Sequence, residues 1–140
     1  MVFVPKIIKD LWVLTENGVV LFTRVFDQTI NPQLFGGLMS ALNTFAEKLT
    51  DGGISNFEMS DLRFVIVKRR SFLFIGSSLN KTKEKKVIDE LMLISDMFFE
   101  IYSDIIVKWD NDVNHFSDFS DYIDKSLEKQ PIKKLKDAFW

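Results

Sequence analysis

The sequence predicts an α+β domain built on a five-stranded antiparallel sheet, with the elements in the order β-β-α-β-β-β-α-α. Two observations support this fold class. Short runs of β-branched and aromatic residues lie on both sides of a helical segment at residues 32–50, and two longer segments with apolar residues at helical spacing follow them. The 140 residues fit one domain, and a hydrophobic content of 46% is sufficient for a sizeable core.

A β-hairpin is predicted at the start of the chain. Two β-prone runs, at residues 7–15 and 19–26, are separated by a short polar segment that contains Asn17 and Gly18. Asn-Gly is a strong hairpin signal, and it predicts a turn in which both residues take positive φ. The second run is mostly apolar on both faces, so we expect helices to cover both sides of the sheet.

The helix at residues 32–50 has a clear start, because Asn31 is a good N-cap and Pro32 is tolerated at the first helical position. Six apolar residues at helical spacing form the stripe that we expect to face the sheet: Leu34, Leu38, Ala41, Leu42, Phe45 and Leu49. Phe35 and Met39 lie beyond this stripe, so we expect them on an exposed apolar patch; the alternative, that both tuck under the loop at residues 51–60 as core residues, stays open. The glycines at 36 and 37 either allow a close backbone approach or fray the first turn, and the sequence leaves both open.

Three further strands are predicted as a meander, at residues 54–59, 62–68 and 71–77. The first of them is short and is expected at an edge of the sheet. The other two are joined by a tight basic turn at Arg69 and Arg70. The strand that contains Leu73 and the first strand of the hairpin are both apolar on both faces, which favours pairing of these two strands at the centre of the sheet.

Two helices close the predicted fold. The longer one, at residues 83–108, has a core stripe made of Val87, Leu91, Ile94, Phe98, Ile101, Ile105 and Trp109. A shorter helix is predicted at residues 116–129. We therefore expect a single domain over residues 1–140, with its core at residues 7–129 and an amphipathic C-terminal tail at residues 130–140.

Composition argues against catalysis. The chain has no cysteine and a single histidine, His115, and it contains no glycine-rich phosphate-binding motif and no nucleophile motif. We predict no catalytic residue, no cofactor and no metal site. The net charge of −2 gives no general case for nucleic acid. No apolar run is long enough to span a membrane, so we expect a cytoplasmic location, with peripheral membrane contact left open.

The order of the elements resembles that of a longin domain, in the longin/roadblock superfamily. The segments that carry the resemblance are DLWVLTENGVVLF, PQLFGGLMSALNTFAEKL and LRFVIVKRRSFLFIGSS, and the resemblance covers residues 7–129. It implies a sheet with one helix on one face and two on the other. The absence of SNARE heptads after the domain favours a free-standing module.

The resemblance also implies a non-enzymatic protein-interaction module that binds or regulates a small Ras-like GTPase or acts as a trafficking-type adaptor. Its partner would be such a GTPase or another longin or roadblock domain, including a second copy. Longin-like surfaces often bind through the first helix and the third strand, which implies a protein-binding surface at Phe35, Met39, Phe57 and Met59. Two alternatives stay open: a structural homo- or heterodimerisation subunit, and a PAS- or GAF-like sensory domain.

Two basic clusters are further candidates for a binding surface. They contain Lys68, Arg69 and Arg70 in one turn, and Lys83, Lys85 and Lys86 before the long helix. Each cluster could contact an acidic lipid or protein surface. Simple solvation of charged side chains explains them as well, and the sequence does not separate these interpretations.

Overall fold

The computed structural model describes residues 7–25, 31–50, 55–58, 60–109 and 112–123. The elements are β1 (Asp10–Thr15), β2 (Val20–Arg24), α1 (Pro32–Leu49), β3 (Asn56–Glu58), β4 (Leu62–Arg69), β5 (Phe72–Leu79), α2 (Glu84–Val107) and a 3-10 helix (Val113–Phe116). Residues 119–123 are also helical. The expected helix at 116–129 is therefore described only in part, and the tail at 130–140 lies outside the described residues.

The sheet has five strands in the order β2-β1-β5-β4-β3, and all neighbours pair antiparallel. The predicted central pairing is confirmed, since Leu14 of β1 lies opposite Leu73 of β5. Both strands are buried along nearly their whole length. A strand that is apolar on both faces needs cover on both sides, and only the centre of the sheet provides it.

The turn with two positive-φ residues, which the sequence predicts between β1 and β2, occurs instead between β4 and β5. In the β1–β2 turn only Gly18 has positive φ, at 91°, and its N–H donates to the carbonyl of Thr15 at 3.0 Å. The prediction that Asn17 would also take positive φ is wrong. In the β4–β5 turn both central residues, Arg70 and Ser71, have positive φ, at 51° and 69°. This is the two-residue turn that matches strand twist best.

The sheet separates two hydrophobic cores. The core under α2 contains Ile8, Leu11, Val13, Leu21, Phe22, Val65, Phe72, Phe74, Val87, Leu91, Ile94, Phe98, Phe99, Tyr102, Phe116, Phe119 and Ile123. The smaller core under α1 contains Trp12, Leu14, Val20, Phe35, Met39, Phe64, Ile66, Leu73 and Ile75. One helix therefore lies on one face, and α2 with the segment at residues 113–123 lies on the other, as the resemblance implied.

The predicted core stripe of α2 is correct only as far as Phe98. Beyond it, Tyr102 has non-helical φ and ψ of −110° and 16°, and this kink changes which side chains point inward. Tyr102 is buried, whereas Ile101 and Ile105 are only partly buried. The hydroxyl of Tyr102 donates to Asp118 Oδ1 at 2.5 Å. Burial and this hydrogen bond raise the pKa of Tyr102 above its usual range.

Candidate protein-interaction site

The helix α1 presents to the sheet the face that the sequence analysis assigned to solvent. Met39 is 1% exposed and Phe35 is 9% exposed, and both pack in the core under α1. The expectation that Phe35 and Met39 form an exposed patch is therefore wrong. Four members of the stripe assigned to the core are exposed instead: Leu34 at 74%, Leu38 at 55%, Phe45 at 63% and Leu49 at 69%.

A close backbone contact fixes this orientation of α1. A Cβ atom on Gly36 would lie 2.5 Å from the carbonyl oxygen of Gly18 and 2.7 Å from Val20 Cγ2, so only glycine lets the helix approach the β1–β2 turn so closely. Ser40 reinforces the contact, because its Oγ donates to the carbonyl of Glu16 at 2.6 Å. The face that contains Gly36 and Ser40 must therefore be the inward one.

Aromatic stacking anchors the same inward face. The rings of Trp12 on β1 and Phe35 on α1 stack with their centroids 4.2 Å apart. Phe64 on β4 lies 5.9 Å from both rings and stacks on Phe57 of β3 at 4.8 Å. These four rings form a ladder from the middle of the sheet to its β3 edge. Phe57, an expected binding residue, is half-buried in this ladder, and Met59 lies outside the described residues.

The outward face of α1 consists of Leu34, Gly37, Leu38, Ala41, Phe45 and Leu49, all exposed. Residues 32–46 contain no charged side chain. A solvent-facing helix surface normally carries charged and polar residues. A Cβ atom on Gly37 would meet no atom within 4 Å, so no close contact within the described fold explains this glycine. The outward face therefore has the composition of a buried surface with no partner among the described residues.

The strand β3 lies at an edge of the sheet, beside β4. Its backbone pairs with β4 at Phe57, and Ser55 accepts a hydrogen bond from the Ile66 N–H at 2.9 Å. Because pairing alternates along an antiparallel strand, the backbone groups of Asn56 and Glu58 point away from β4. The described part of the chain provides no strand beyond β3.

An ion-pair network holds the C-terminal half of α1 on the sheet. The Nζ atom of Lys68 on β4 lies 2.7 Å from a carboxylate oxygen of Glu16 and 3.1 Å from one of Glu47. The other Glu47 oxygen accepts from Asn43 Nδ2 at 2.9 Å, and Asn43 is only 4% exposed. The hydrogen bond to Glu16 and then that to Glu47 raise the pKa of Lys68 above its usual 10.5. Three separate elements are joined by one ammonium group.

Within each of the two predicted basic clusters, some cations form ion pairs with neighbouring carboxylates and others do not. Lys68 has the carboxylates just described, Arg69 lies 2.5 Å from Asp96 Oδ1, and Lys85 lies 3.1 Å from Asp89 Oδ2. Arg70, Lys83 and Lys86 are exposed and form no ion pair with another described residue. Half of the expected basic surface is therefore neutralised by neighbouring carboxylates.

Two other kinds of site are absent from the described residues. No helix among them is long and apolar enough to cross a membrane. They also contain no cluster of three or more histidine, aspartate or glutamate side chains arranged to hold a metal ion.

Comparisons with known proteins agree with this architecture. Myxococcus xanthus MglB is 16% identical with a TM-score of 0.57, over 69% of this chain and 85% of that chain. A Roadblock/LC7 domain from Streptomyces avermitilis is 13% identical with a TM-score of 0.54, over 72% of this chain and 87% of that chain. At such low identity these likenesses show the fold alone. No curated protein sequence matches this chain significantly.

A five-stranded antiparallel sheet with α1 on one face and α2 on the other is the longin/roadblock-type fold. The family model described as the first longin domain of FUZ, MON1 and HPS1 matches residues 9–104. The chain belongs to this longin family. The match extends from the start of the hairpin to the kinked part of α2.

Sequence reasoning placed the expected binding surface on α1 but assigned the two apolar faces of this helix the wrong way round. The exposed side chains Leu34, Leu38 and Phe45 were assigned to the core because they continue a regular helical stripe. One signal could have corrected the assignment. Gly36 lies beside Phe35 on the helix, and a glycine that permits a close backbone approach marks the inward face.

Proposed function

We propose that this protein is a non-enzymatic longin-type module that binds a second protein domain through the outward face of α1 together with the β3 edge. The observation that carries the proposal is the exposure of Leu34, Leu38, Phe45 and Leu49 on one side of a single helix. Apolar residues contiguous on a surface usually mark an interaction site. The proposal keeps the surface at the first helix and the third strand but exchanges Phe35 and Met39 for the exposed residues.

The chemistry of the face indicates the kind of partner. Leu34, Leu38, Ala41 and Phe45 follow at intervals of four, three and four residues, the spacing with which helices pack against each other. Residues 32–46 carry no charge that could recognise a charged peptide, and the exposed Lys48 lies only at the C-terminal end of the face. An apolar helix of another longin or roadblock domain, a second copy of this chain included, is the occupant that fits it.

The size of the face explains why the β3 edge is included. An 18-residue helix is about 27 Å long, and one of its faces is about 10 Å wide. This is roughly a third of the surface of about 800 Å² that each partner buries in a stable interface. The free edge of β3 lies on the flank of the same aromatic ladder and can supply part of the remainder by strand addition.

Within such a paired assembly, we propose that a small Ras-like GTPase is the protein that the module binds or regulates. The support is the family membership, since the longin resemblance implies this class of partner or a trafficking-type adaptor role. A purely structural dimerisation subunit would use the same face of α1 without contacting a GTPase. The two functions are separated by whether the paired module binds a GTPase.

Site-specific photocrosslinking in the native cell tests the docking face. A photoreactive amino acid replaces Leu38 on the outward face in one variant and Val107 on α2 in the control. Val107 is also apolar and is 82% exposed. We expect position 38 to crosslink, in far higher yield than position 107, to a protein that mass spectrometry identifies as a longin- or roadblock-fold domain or a second copy. Equal yields at both positions would refute the docking face.

A binding assay with purified small GTPases of the same cell, loaded with GDP or GTP, tests the second part. We expect the paired module to retain one of them in a nucleotide-dependent manner. Leu38→Glu should abolish pairing, and with it this retention. Pairing that persists without any GTPase bound would favour the structural subunit and leave the docking face intact.

A further inference from the structure

Three consecutive cations lie at the end of β4 and in the β4–β5 turn, and each has a different environment. Lys68 lies between the carboxylates of Glu16 and Glu47. Arg69 Nη1 contacts Asp96 and also donates to Ser95 Oγ at 2.6 Å. Arg70 is exposed and forms no ion pair with any described residue. Only one of the three positive charges is left for a partner.

The backbone of this turn is unusual for the residues it contains. Arg70 and Ser71 both have positive φ, at 51° and 69°. Residues with a Cβ atom are disfavoured in this region, and asparagine and glycine are the residues that two-residue hairpin turns prefer. Turn geometry alone therefore does not account for arginine at this position. Backbone strain of this kind is concentrated at sites where the side chain is used.

The side chain of Arg70 is also held in place. Its guanidinium carbon lies 4.7 Å from the centre of the Phe99 ring on α2, and that of Arg69 lies 5.6 Å from the same ring. A guanidinium that stacks by its face on an aromatic ring keeps the N–H groups at its edge available for hydrogen bonds. The turn and Phe99 together hold the guanidinium of Arg70 at the end of the sheet, with its N–H groups free of any ion pair to a described residue.

We propose that Arg70, held over Phe99 by the strained β4–β5 turn, is a docking point for a carboxylate of an acidic segment on a protein partner. A planar guanidinium matches a carboxylate in a two-point hydrogen bond. An anionic membrane surface is a poorer match, because its binding adds up over several uncommitted cations. Here the neighbouring cations are already neutralised by Glu16, Glu47 and Asp96.

This surface is separate from the outward face of α1. Arg70 stacks on α2, on the other side of the sheet, whereas the leucines of α1 lie above the core that contains Trp12. The acidic segment could therefore bind while α1 is paired. The inference does not depend on the proposed pairing through α1.

Nuclear magnetic resonance of the arginine side-chain Nε–H groups tests the inference with three probes: a hexaglutamate peptide, inorganic phosphate, and vesicles of phosphatidylcholine with phosphatidylserine. The variant combines Arg70→Asn with Ser71→Gly, which gives the turn its preferred residues. Lys86→Gln is the matched control, because Lys86 is also exposed and forms no ion pair with a described residue. Thermal unfolding of every variant reports on the fold.

We expect the glutamate peptide to shift the Arg70 signal in a saturable way and more strongly than phosphate or vesicles. The turn variant should weaken peptide binding about tenfold, as loss of a charged hydrogen-bond pair does, whereas Lys86→Gln should leave it unchanged. The melting temperature of the turn variant should rise by about 4 °C, since the strain is relieved. Better stability with lost binding is not expected of a merely structural arginine.

Four results would overturn the proposal. An Arg70 signal that shifts with none of the probes would show that the site binds no anion. A response to phosphate or vesicles as strong as that to the peptide would assign the site to a different ligand class. Unchanged peptide binding by the turn variant would show that other cations bind the peptide. Loss of stability in the turn variant would show that Arg70 serves to cover Phe99.

Discussion

The two long helices cover the same sheet but divide their apolar residues differently. In α2, Val87, Leu91, Ile94 and Phe98 all point inward and have no exposed surface. In α1, the inward residues Phe35 and Met39 are matched by exposed leucines on the opposite side. The two helices therefore differ: α2 packs one apolar face into the core, whereas α1 has one apolar face in the core and a second apolar face that is exposed.

This division means that stability and binding should be separable along α1 by one-residue steps. Met39 and Leu38 are neighbours in sequence and similar in volume, yet they are 1% and 55% exposed. The same contrast holds for the two adjacent glycines. A substitution at one member of such a neighbouring pair has its control, at the other member, in the same turn of the helix.

The largest effect is expected for Met39→Ala. Removing a buried methionine side chain from a packed core costs about 2–5 kcal/mol of unfolding free energy. Leu38→Ala should change it by no more than about 0.5 kcal/mol, as for other surface positions. Urea unfolding followed by circular dichroism measures both. If Leu38→Ala proves as destabilising as Met39→Ala, the assignment of the two faces of α1 is incorrect.

Smaller changes in unfolding free energy are expected when alanine replaces Gly36 or Gly37, and the two changes should have opposite signs. Gly36→Ala places a methyl group against the backbone of Gly18, which should destabilise the protein by about 1–3 kcal/mol, as overpacking does. Gly37→Ala meets open space and should stabilise the helix by about 0.5–1 kcal/mol. Melting temperatures of the two variants should shift in opposite directions. Equal shifts would mean that α1 does not approach the β1–β2 turn closely.

The smallest effect concerns the pH dependence of the Lys68 network, which joins α1 to the sheet. The pKa of Lys68 is raised in the folded state, so its stabilising contribution is fully present below the unfolded value of 10.5. That contribution is lost as the pH rises through the folded pKa. Lys68 is 41% exposed, so Lys68→Gln should cost only about 0.5 kcal/mol at neutral pH.

The measurement is the difference in unfolding free energy between wild type and Lys68→Gln as a function of pH. This difference should be constant from neutral pH to the alkaline range and then vanish as Lys68 deprotonates. The exposed pair Lys85–Asp89 is the comparison, because Lys85→Gln removes a single contact within one helix. A difference for Lys68 that grows with rising pH would contradict the sign of the linkage.

The sheet could be predicted from the sequence because strand burial leaves a direct pattern. β1 and β5 are apolar on both faces, and only a central position satisfies such strands, so their pairing followed. The strand boundaries were less exact. The expected strand at residues 7–15 begins at Asp10, and the expected edge strand at 54–59 is described only as Asn56–Glu58.

The exposed face of α1 could not be predicted in the same way, because the helix carries two apolar stripes. Helical periodicity detects both and does not say which one the sheet will cover. The deciding contact, between Gly36 and Gly18, joins residues that are distant in sequence. The kink at Tyr102 was missed for a similar reason, since the residue's hydrogen bond to Asp118 is a tertiary contact.

The contact between Gly18 and Gly36 also restricts how the sequence can change during evolution. A Cβ atom on Gly18 would lie 2.9 Å from the carbonyl oxygen of Gly36, just as one on Gly36 would meet the oxygen of Gly18. A side chain at either position alone would therefore collide with the backbone of the other glycine, so the two positions cannot change independently. Descendants of this chain should retain both glycines or lose both together, with α1 then lying further from the sheet.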